Sequence, residues 1–396
     1  MNRAVALTLA VLLAAPTPDA AAQNRVPRRW IFAGVGAALG LGLTTVYSAG
    51  DFNTNIGWCT SAKCVGIVST TFAAFVGFMV GREIDSHYAL RYRAAPPVSL
   101  EGRTRSLRTR ATSLAVDRDI LAAFGDDGVE LVTAGPTLDY IGQRAQGLRD
   151  VTDAAVDDPG RHLLVGTTTG LYLYALSGDA PGTRVLGGEL AAVAPRGDRL
   201  AVATATALRV GTVRPTTTDS PDSRDSIDWR PDSVVWADRV TDLRWRDDTL
   251  LWVLSESALW AYRVPRDGEI GVAGRVDLAG TLRRLAVADT LAAVAAGAEG
   301  VYLLHVGDPA APRAVAHWSE PRYAYDVALW GDLVAVAAGP EGLYLLEPAP
   351  EGLRPLGLER GAGFVSAVAA RGGALYAIDR NGGVIRRLEL PGREPQ

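Results

Sequence analysis

A ten-residue phrase occurs twice in the chain, almost unchanged, and its spacing constrains the fold more than any other feature. Residues 295–304 read AAGAEGVYLL and residues 337–346 read AAGPEGLYLL, an interval of 42 residues. Strand-rich units repeated at this interval are typical of propeller blades, because each unit must pack against its neighbours to bury its apolar faces. The phrase therefore predicts a β-propeller.

Weaker versions of the phrase continue in both directions along the chain. The seven units start their marker strands at Gly128, Gly170, Ala207, Ala258, Gly300, Gly342 and Gly383. Four short strands fit within a unit, separated by turns rich in Gly, Asp and Pro. In the sixth unit the predicted strands are Asp326–Leu329, Leu333–Ala338, Gly342–Glu347 and Leu353–Leu358. The sequence predicts an all-β, seven-bladed β-propeller with four-stranded antiparallel blades over residues 96–396.

The last unit has room for only three strands before the chain ends at Gln396. The segment Val98–Arg105 precedes the first unit and has no blade of its own. We expect it to pair as the outer strand of the last blade, because a ring closed in this way has no free sheet edges.

The fifth unit resembles a known repeat family. Gly300–Trp318 reads GVYLLHVGDPAAPRAVAHW and is similar to the LVIVD repeat of bacterial and archaeal surface proteins, in which a short strand is followed by a D-P-x-x-P turn. Asp308, Pro309 and Pro312 supply that turn here, and His305 stands where the family usually has Asp. The resemblance implies a propeller exposed at the cell envelope and brings no established chemistry.

The chain before the propeller carries two patterns that predict export and membrane association. Residues 1–22 have the positive start, short apolar run and small-residue site of a secretory signal peptide, with an uncleaved anchor as the alternative. Residues 23–95 contain two apolar stretches, 30–49 and 65–81, with small residues at fourfold spacing. This spacing resembles glycine-zipper hairpins and predicts a helical hairpin in a membrane through residues 30–81; a buried soluble helix pair is the alternative.

The only two cysteines, Cys59 and Cys64, lie between the apolar stretches. A lone C-x4-C pair lacks the second ligand pair of a zinc site and predicts a disulfide in an oxidising compartment, with two free thiols as the alternative. A hairpin threaded conventionally after a cleaved signal would place these cysteines in the cytoplasm and the flanking arginines outside, against the positive-inside rule. The sequence thus predicts the periplasm or cell envelope and leaves the membrane and the hairpin topology open.

Aligned positions at the start of the innermost strands predict a polar ring at the mouth of the central channel. Its members are Ser113, Asp153, Asp242, Arg284, Asp326 and Ser366, with Ala192 in the third unit. The alternative is the ordinary polar lining of a water-filled channel. No catalytic motif is found, the four histidines fall at unrelated positions, and no metal or cofactor is predicted.

The third unit departs most from the others because it contains an insertion, Arg214–Ser233, with many Asp, Ser and Pro residues. This composition predicts a solvated loop. Trp229 and Arg230 within it are candidate interface residues, since exposed Trp and Arg often anchor protein contacts.

The function best supported by these patterns is a non-catalytic protein-binding or scaffolding module at the cell envelope. The net charge of −4 argues against nucleic acid as a partner. One alternative is an enzyme that uses the channel mouth, of lactonase-like or quinoprotein-like type. Another is that the hairpin oligomerises in the membrane and the propeller only caps it.

Overall fold

A computed structural model describes residues 98, 100–157, 162–176, 180–204, 207–214, 226–235, 238–350, 352–361 and 363–389. The chain divides into two units, residues 1–94 and residues 95–396, and all described residues belong to the second. The predicted signal peptide, the predicted hairpin and the cysteine pair Cys59 and Cys64 lie outside the described residues. Where the chain is described, it forms no helix with the length and apolar character that a bilayer crossing requires.

The described residues form seven sheets of four antiparallel strands, which confirms the predicted propeller and its blade count. The first strand of the chain, β1 (Glu101–Ser106), precedes blade one. Blades one and two consist of β2 (Ala111–Asp117), β3 (Ile120–Gly125), β4 (Gly128–Thr133), β5 (Tyr140–Arg144), then β6 (Val151–Val156), β7 (His162–Thr167), β8 (Gly170–Ala175), β9 (Thr183–Gly187). Blades three and four consist of β10 (Leu190–Arg196), β11 (Arg199–Thr204), β12 (Ala207–Arg214), β13 (Ser226–Val235), then β14 (Val240–Trp245), β15 (Leu250–Ser255), β16 (Ala258–Arg263), β17 (Gly271–Asp277). Blades five to seven consist of β18 (Arg284–Ala288), β19 (Leu291–Ala295), β20 (Val301–His305), β21 (Arg313–Trp318), then β22 (Asp326–Trp330), β23 (Leu333–Ala337), β24 (Leu343–Ala349), β25 (Gly352–Glu359), then β26 (Val365–Arg371), β27 (Ala374–Asp379), β28 (Val384–Glu389).

The second strand of each blade is apolar on both faces because each face contacts a neighbouring blade. In β23, whose sequence is LVAVA, Leu333, Ala335 and Ala337 pack against blade seven. Val334 and Val336 point the other way and pack against blade five. Successive residues of a strand face opposite sides, so a continuous apolar run serves two interfaces at once.

The buried apolar side chains of the described residues fall into seven clusters, one for each pair of adjacent blades. The cluster between blades seven and one contains Leu121 and Ala123 from one side and Tyr376 and Ile378 from the other. The other six clusters join consecutive blades in the same way. Burial of a Leu or Val side chain contributes about 1.5–3 kcal/mol relative to leaving it in water, so these interfaces are the main source of the ring's stability.

The ring closes through the strand that precedes blade one. Strand β1 pairs antiparallel with β28, with Gly102 opposite Leu388 and Ser106 opposite Val384, which confirms the predicted closure. The strand begins three residues later than predicted, because the residues before it bind the neighbouring blade instead. The amide of Val98 donates to the Leu358 carbonyl (3.2 Å), and that of Leu100 donates to Glu359 Oε2 (3.1 Å), both at the end of β25 in blade six.

Gly102 gives a direct test of the closure. A Cβ at this position would lie 2.0 Å from the Arg387 carbonyl oxygen of β28, whereas a Cβ at Gly271, on the outer strand of blade four, has no atom within 4 Å. We expect Gly102→Val to lower the free energy of unfolding by about 1–3 kcal/mol, because the strands must separate to admit the side chain. Gly271→Val is the matched control and is expected to change it by less than about 0.5 kcal/mol. Urea denaturation measures both, and equal losses would contradict the assigned pairing.

The repeated phrase forms the same turn in blades five and six. In blade five the amide of Ala296 donates to the Gly300 carbonyl (2.8 Å), and the amide of Gly300 donates to Gly297 (3.1 Å). In blade six Ala338, Gly342 and Gly339 make the equivalent bonds at 2.9 and 3.1 Å. Each turn also pairs with the next blade, through an antiparallel bridge from Gly297 to Ala324 or from Gly339 to Val365. The phrase therefore joins each blade to its successor.

Gly339 is required by its backbone and by its neighbours. Its φ is +57°, and a Cβ there would lie 2.5 Å from the Tyr325 ring; Gly331 has a φ of +60° with open space around it. Gly331→Ala is expected to cost about 1–2 kcal/mol from backbone strain alone. Gly339→Ala is expected to cost about 1–3 kcal/mol more, because the ring must also move. Chemical denaturation of the two variants separates strain from collision, and equal losses would show that Tyr325 is not held against this turn.

Candidate functional site

The predicted ring residues lie at one end of the central channel, where the inner strand of each blade begins. In five blades the ring position follows a β-bulge near the start of the inner strand, and the residues there are Ser113, Asp153, Ala192, Asp242 and Ala367. Arg284 and Asp326 are the first residues of the inner strands of blades five and six.

Blade seven differs from the sequence alignment by one residue. The ring position is Ala367, whose neighbour Val368 makes the contact that follows the ring residue in other blades. Ser366 lies within the bulge, and its hydroxyl is buried with no hydrogen-bond partner in the described part of the chain. Spacing alone could not show this, because the preceding connection differs in length from blade to blade. The bulge then moves the following side chain to the opposite face.

Three carboxylates of the ring, which we call the bridging carboxylates, each join two blades. Asp153 accepts the amide of Ala154 at Oδ1 (3.0 Å) and that of Val193, in blade three, at Oδ2 (2.8 Å). Asp242 accepts the amides of Leu243 (2.8 Å) and of Leu285 in blade five (2.9 Å). The third bridging carboxylate, Asp326, has the same geometry.

Asp326 accepts the amide of Val327 (2.8 Å) and that of Val368 in blade seven (3.0 Å). The bridging carboxylates therefore link blades two to three, four to five and six to seven. They alternate with residues that carry no carboxylate at the ring position. Hydrogen bonds from backbone amides to a buried charge are among the stronger ones in proteins, which makes these contacts structural.

Arg284 neutralises part of this negative charge and crosses the channel mouth. Its guanidinium Nη2 donates to Ser113 Oγ (3.3 Å), which connects blade five to blade one. Burial alone lowers the pKa of Arg284, but the carboxylates of Asp242, Asp153 and Asp326 outweigh it and the pKa is raised. A second arginine, Arg244, lies two residues after Asp242 and contacts its Oδ1 at 3.0 Å. The ring is thus an ion cluster shared by several blades.

Two acids of the ring, Asp326 and Asp153, have pKa values above that of an ordinary carboxylic acid. Burial raises the pKa of Asp326 to about 6, although Arg284 and the amides of Val368 and Val327 oppose the shift. Burial also raises the pKa of Asp153, with Arg284 again opposing. Removal of a carboxylate from water disfavours its charged form, and at this site the nearby cation only partly compensates.

The channel contains a cavity of about 490 Å³, lined by the inner strands of all seven blades. Asp153, Asp326 and Arg284 face it at the ring end, and Arg244 and Arg196 also line it, among Ala and Val side chains. Among the described residues, no three side chains of His, Cys, Asp or Glu come together in a way that would hold a metal ion. The chemistry available here is proton binding by a raised-pKa acid next to a fixed cation.

A buried imidazole–carboxylate pair lies apart from the ring. His162, the first residue of β7, has Nδ1 2.6 Å from Asp157 Oδ2, and its amide donates to Asp157 Oδ1 (2.9 Å). The amide of Asp157 in turn donates to the His162 carbonyl (3.0 Å). These contacts tie together the two ends of the hairpin between β6 and β7. Asp153 lies near the beginning of β6 and Asp157 just past its end, so the pair and the ring are not one constellation.

Part of the insertion in blade three is a strand rather than a loop. Residues 226–233, predicted as solvated loop, belong to β13, which pairs with β12 along its length. Trp229 is half-buried and packs against the apolar cluster between blades two and three. Arg230 donates from Nη1 to the Pro265 carbonyl of blade four (2.6 Å). Pairing with β12 satisfies backbone groups that a solvated loop would leave to water, and composition alone does not reveal it.

The structure also brings together four residues that sequence reasoning missed, which we call the aromatic rim: Arg283, Tyr323, Tyr325 and Phe364. The rings of Tyr323 and Tyr325 are 4.7 Å apart at their centroids, and those of Tyr325 and Phe364 are 5.4 Å apart. The Arg283 guanidinium lies 5.6 Å from the Tyr323 ring and donates to its hydroxyl (3.1 Å). The sequence contains one indication of this group, because Arg283 and Tyr325 directly precede the ring residues Arg284 and Asp326.

Asp326 allows a test of the ion cluster through pH. A folded pKa of about 6 against an ordinary 3.8 means that between these values the native state binds a proton that the unfolded chain releases. Wild-type stability therefore rises as pH falls through this window, and Asp326→Asn removes that gain. We expect the stability difference between wild type and Asp326→Asn to be about 1 kcal/mol larger at pH 5.0 than at pH 7.5.

Thermal and urea unfolding at the two pH values measure this difference. The exposed Asp127→Asn variant removes one surface carboxylate and controls for the change in net charge. A difference that stays constant, or that is larger at pH 7.5, would contradict the raised pKa of Asp326.

Solved propellers share this fold. The structure of U3-55K matches with a TM-score of 0.59 at 14% identity, over 74% of this chain and 100% of that chain. A chain of the crystal structure of the mitotic checkpoint complex gives 0.58 at 11% identity, over 74% and 97%. The Cps50 (Swd1) β-propeller domain from Myceliophteria thermophila gives 0.57 at 15% identity, over 73% and 99%. Identities this low show the fold alone.

No protein-family model and no curated protein sequence matches the chain. The resemblance to the LVIVD repeat therefore stays a prediction that rests on the wording of the fifth blade.

Proposed function

We propose that this chain is a non-catalytic protein-binding propeller, exported and held at a membrane of the cell envelope. The main support for the proposal is that the carboxylates of the ring are hydrogen-bonded to backbone amides. Asp153, Asp242 and Asp326 each bind two backbone amides, one in their own blade and one in the next. A catalytic acid or base must exchange protons with a substrate, and these carboxylates are already engaged in holding blades together.

Protein binding is the function that the exposed face of the propeller supports best. A propeller presents a broad rigid face formed by loops from all its blades, and loops on a rigid frame carry most binding residues. One of the similar structures was solved within the mitotic checkpoint complex, which is compatible with such a role. Trp229 and Arg230 contact neighbouring strands and turns, so the face around the channel mouth is the better candidate for the interface.

A channel-mouth enzyme of lactonase-like or quinoprotein-like type is the alternative, and one observation favours it. Asp153 and Asp326 line the cavity, and both have raised pKa values. Carboxylic acids poised in this way serve as general acids or bases in many enzymes. The alternative requires that replacing these acids abolish the biological activity while leaving partner binding intact.

Export and membrane attachment are supported by the sequence before residue 96. The signal pattern of residues 1–22 and the apolar stretches within residues 30–81 act together in the proposal: the first directs export, and the second anchors the propeller. Membrane oligomerisation by the hairpin would add copies of the propeller to one assembly.

Expression of the full chain with a C-terminal tag in its host tests the proposal. We expect a mature protein that begins near residue 23, that sediments with membranes, and that becomes soluble but remains exported when residues 30–81 are deleted. Affinity purification after cross-linking should recover the same protein partner with wild type and with Asp153→Asn plus Asp326→Asn, once thermal unfolding has shown that the double variant is folded despite its lost contacts between blades. A cytoplasmic product that keeps Met1 would contradict export. Recovery of the same partner by residues 1–95 alone would assign the function to the hairpin.

A further inference from the structure

The aromatic rim is a continuous line of side chains on the propeller face at the channel mouth. Its four members come from blade five (Arg283), from the connection into blade six (Tyr323 and Tyr325) and from the start of blade seven (Phe364). Arg283 is exposed and the three rings are half-buried, so each presents one surface to solvent. Contacts between successive rings fix their order.

The rim packs closely against two backbone turns and is hydrogen-bonded at one end. The turns of the repeated phrase lie beneath it, because a Cβ on Gly297 would lie 3.2 Å from the Tyr323 ring and one on Gly339 would lie 2.5 Å from the Tyr325 ring. Asp379 accepts the amide of Phe364 (3.1 Å) at the other end. Aromatic side chains fixed before binding lose little conformational entropy when a partner arrives, which makes them effective anchors.

The charges around the rim favour one kind of partner. The exposed charged residues of the adjoining loops are mainly cations: Arg283, Arg322, Arg360 and Arg380. The acids in the same loops are largely engaged. Asp379 is buried and accepts three backbone amides, and the half-buried Glu341 accepts the Tyr344 hydroxyl (2.9 Å) and the Arg322 amide (3.1 Å).

Among the fully exposed charges in the described part of these loops, the four arginines outnumber the single acid, Glu299. Glu320 and Glu359 are half-buried, and Glu341 also pairs with Arg322 (3.7 Å). Exposed arginines beside aromatic faces suit carboxylates for two reasons. The guanidinium forms paired hydrogen bonds to a carboxylate, and the ring surface buries an adjoining apolar side chain.

We propose that the aromatic rim binds an extended acidic segment of a partner protein, in which Asp or Glu residues stand next to aromatic or aliphatic ones. This inference rests on the proposed protein-binding function and assigns it a surface and a partner chemistry. The carboxylates contact Arg283 and Arg380, and the apolar side chains lie on Tyr325 and Phe364. Complementary charge speeds association and fixes register, and the rings supply most of the affinity.

A random twelve-residue peptide library displayed on phage, selected against the purified full chain in detergent, tests the inference. We expect enrichment of sequences that combine Asp or Glu with Trp, Phe or Leu. The best selected peptide is then synthesised with a fluorescein label, and its Kd is measured by fluorescence anisotropy. Arg283→Glu plus Arg380→Glu is expected to weaken binding by roughly tenfold or more, and added salt should also weaken it.

The matched control is Arg313→Glu plus Arg371→Glu, which makes the same change in net charge at exposed positions on an outer strand and at the far end of an inner strand. It is expected to change Kd by less than about twofold. Thermal unfolding of both double variants checks the fold. Photo-cross-linking of a benzophenone-labelled peptide to wild type, mapped by mass spectrometry, should mark Tyr323, Tyr325 or Phe364 without relying on any variant.

Enrichment of basic or uncharged peptides, equal losses in both double variants, or cross-links elsewhere would overturn the inference. Peptides that bind specifically away from the rim would overturn the inference but leave the proposed protein-binding function intact. Failure to recover any cross-linked partner in the host would instead count against that function itself. If no peptide is enriched and phosphatidylglycerol vesicles bind wild type but not Arg283→Glu plus Arg380→Glu, the rim contacts a membrane surface and the inference is wrong.

Discussion

Each blade of this propeller depends on apolar contact with two neighbours, and the rest of the structure follows from that requirement. A four-stranded sheet with apolar residues on both faces is not stable in water by itself. Blade six illustrates the solution, because Val334 and Val336 face blade five while Leu333 and Ala335 face blade seven. Seven such interfaces close the described ring, and the last needs β1 to complete blade seven.

The polar channel mouth is a consequence of this packing. Adjacent blades diverge outward from the axis, so they approach each other most closely at their inner strands. There the backbone amides of Val193, Leu285 and Val368 are met by the bridging carboxylates of the preceding blades. Bringing three carboxylates to one axis is costly, and Arg284 offsets part of the cost by reaching across to Ser113. The residual cost appears as the raised pKa of Asp326.

Some residues of the channel mouth are visible in the sequence and others are not. Asp153, Asp242, Arg284 and Asp326 lie at the starts of inner strands, and acidic or basic residues at a fixed place in a repeat are visible in sequence. Ser366 lies within a bulge, which decides the direction in which its side chain points and leaves no compositional trace. Trp229 was assigned to a loop because Asp, Ser and Pro surround it, yet pairing with β12 outweighed those local preferences.

The sequence by itself determined the fold class, the number of blades and the closing strand, since these depend on period and alternation, which survive in a single chain. Tertiary structure alone decided that the ring acids bind the next blade's amides, that Arg284 spans the mouth, and that Tyr323, Tyr325 and Phe364 form one surface with Arg283. Apart from the contact between Tyr323 and Tyr325, which lie in one connection, each of these contacts joins residues of different blades. Their geometry depends on how seven blades close around one axis, and no local stretch of sequence carries that information.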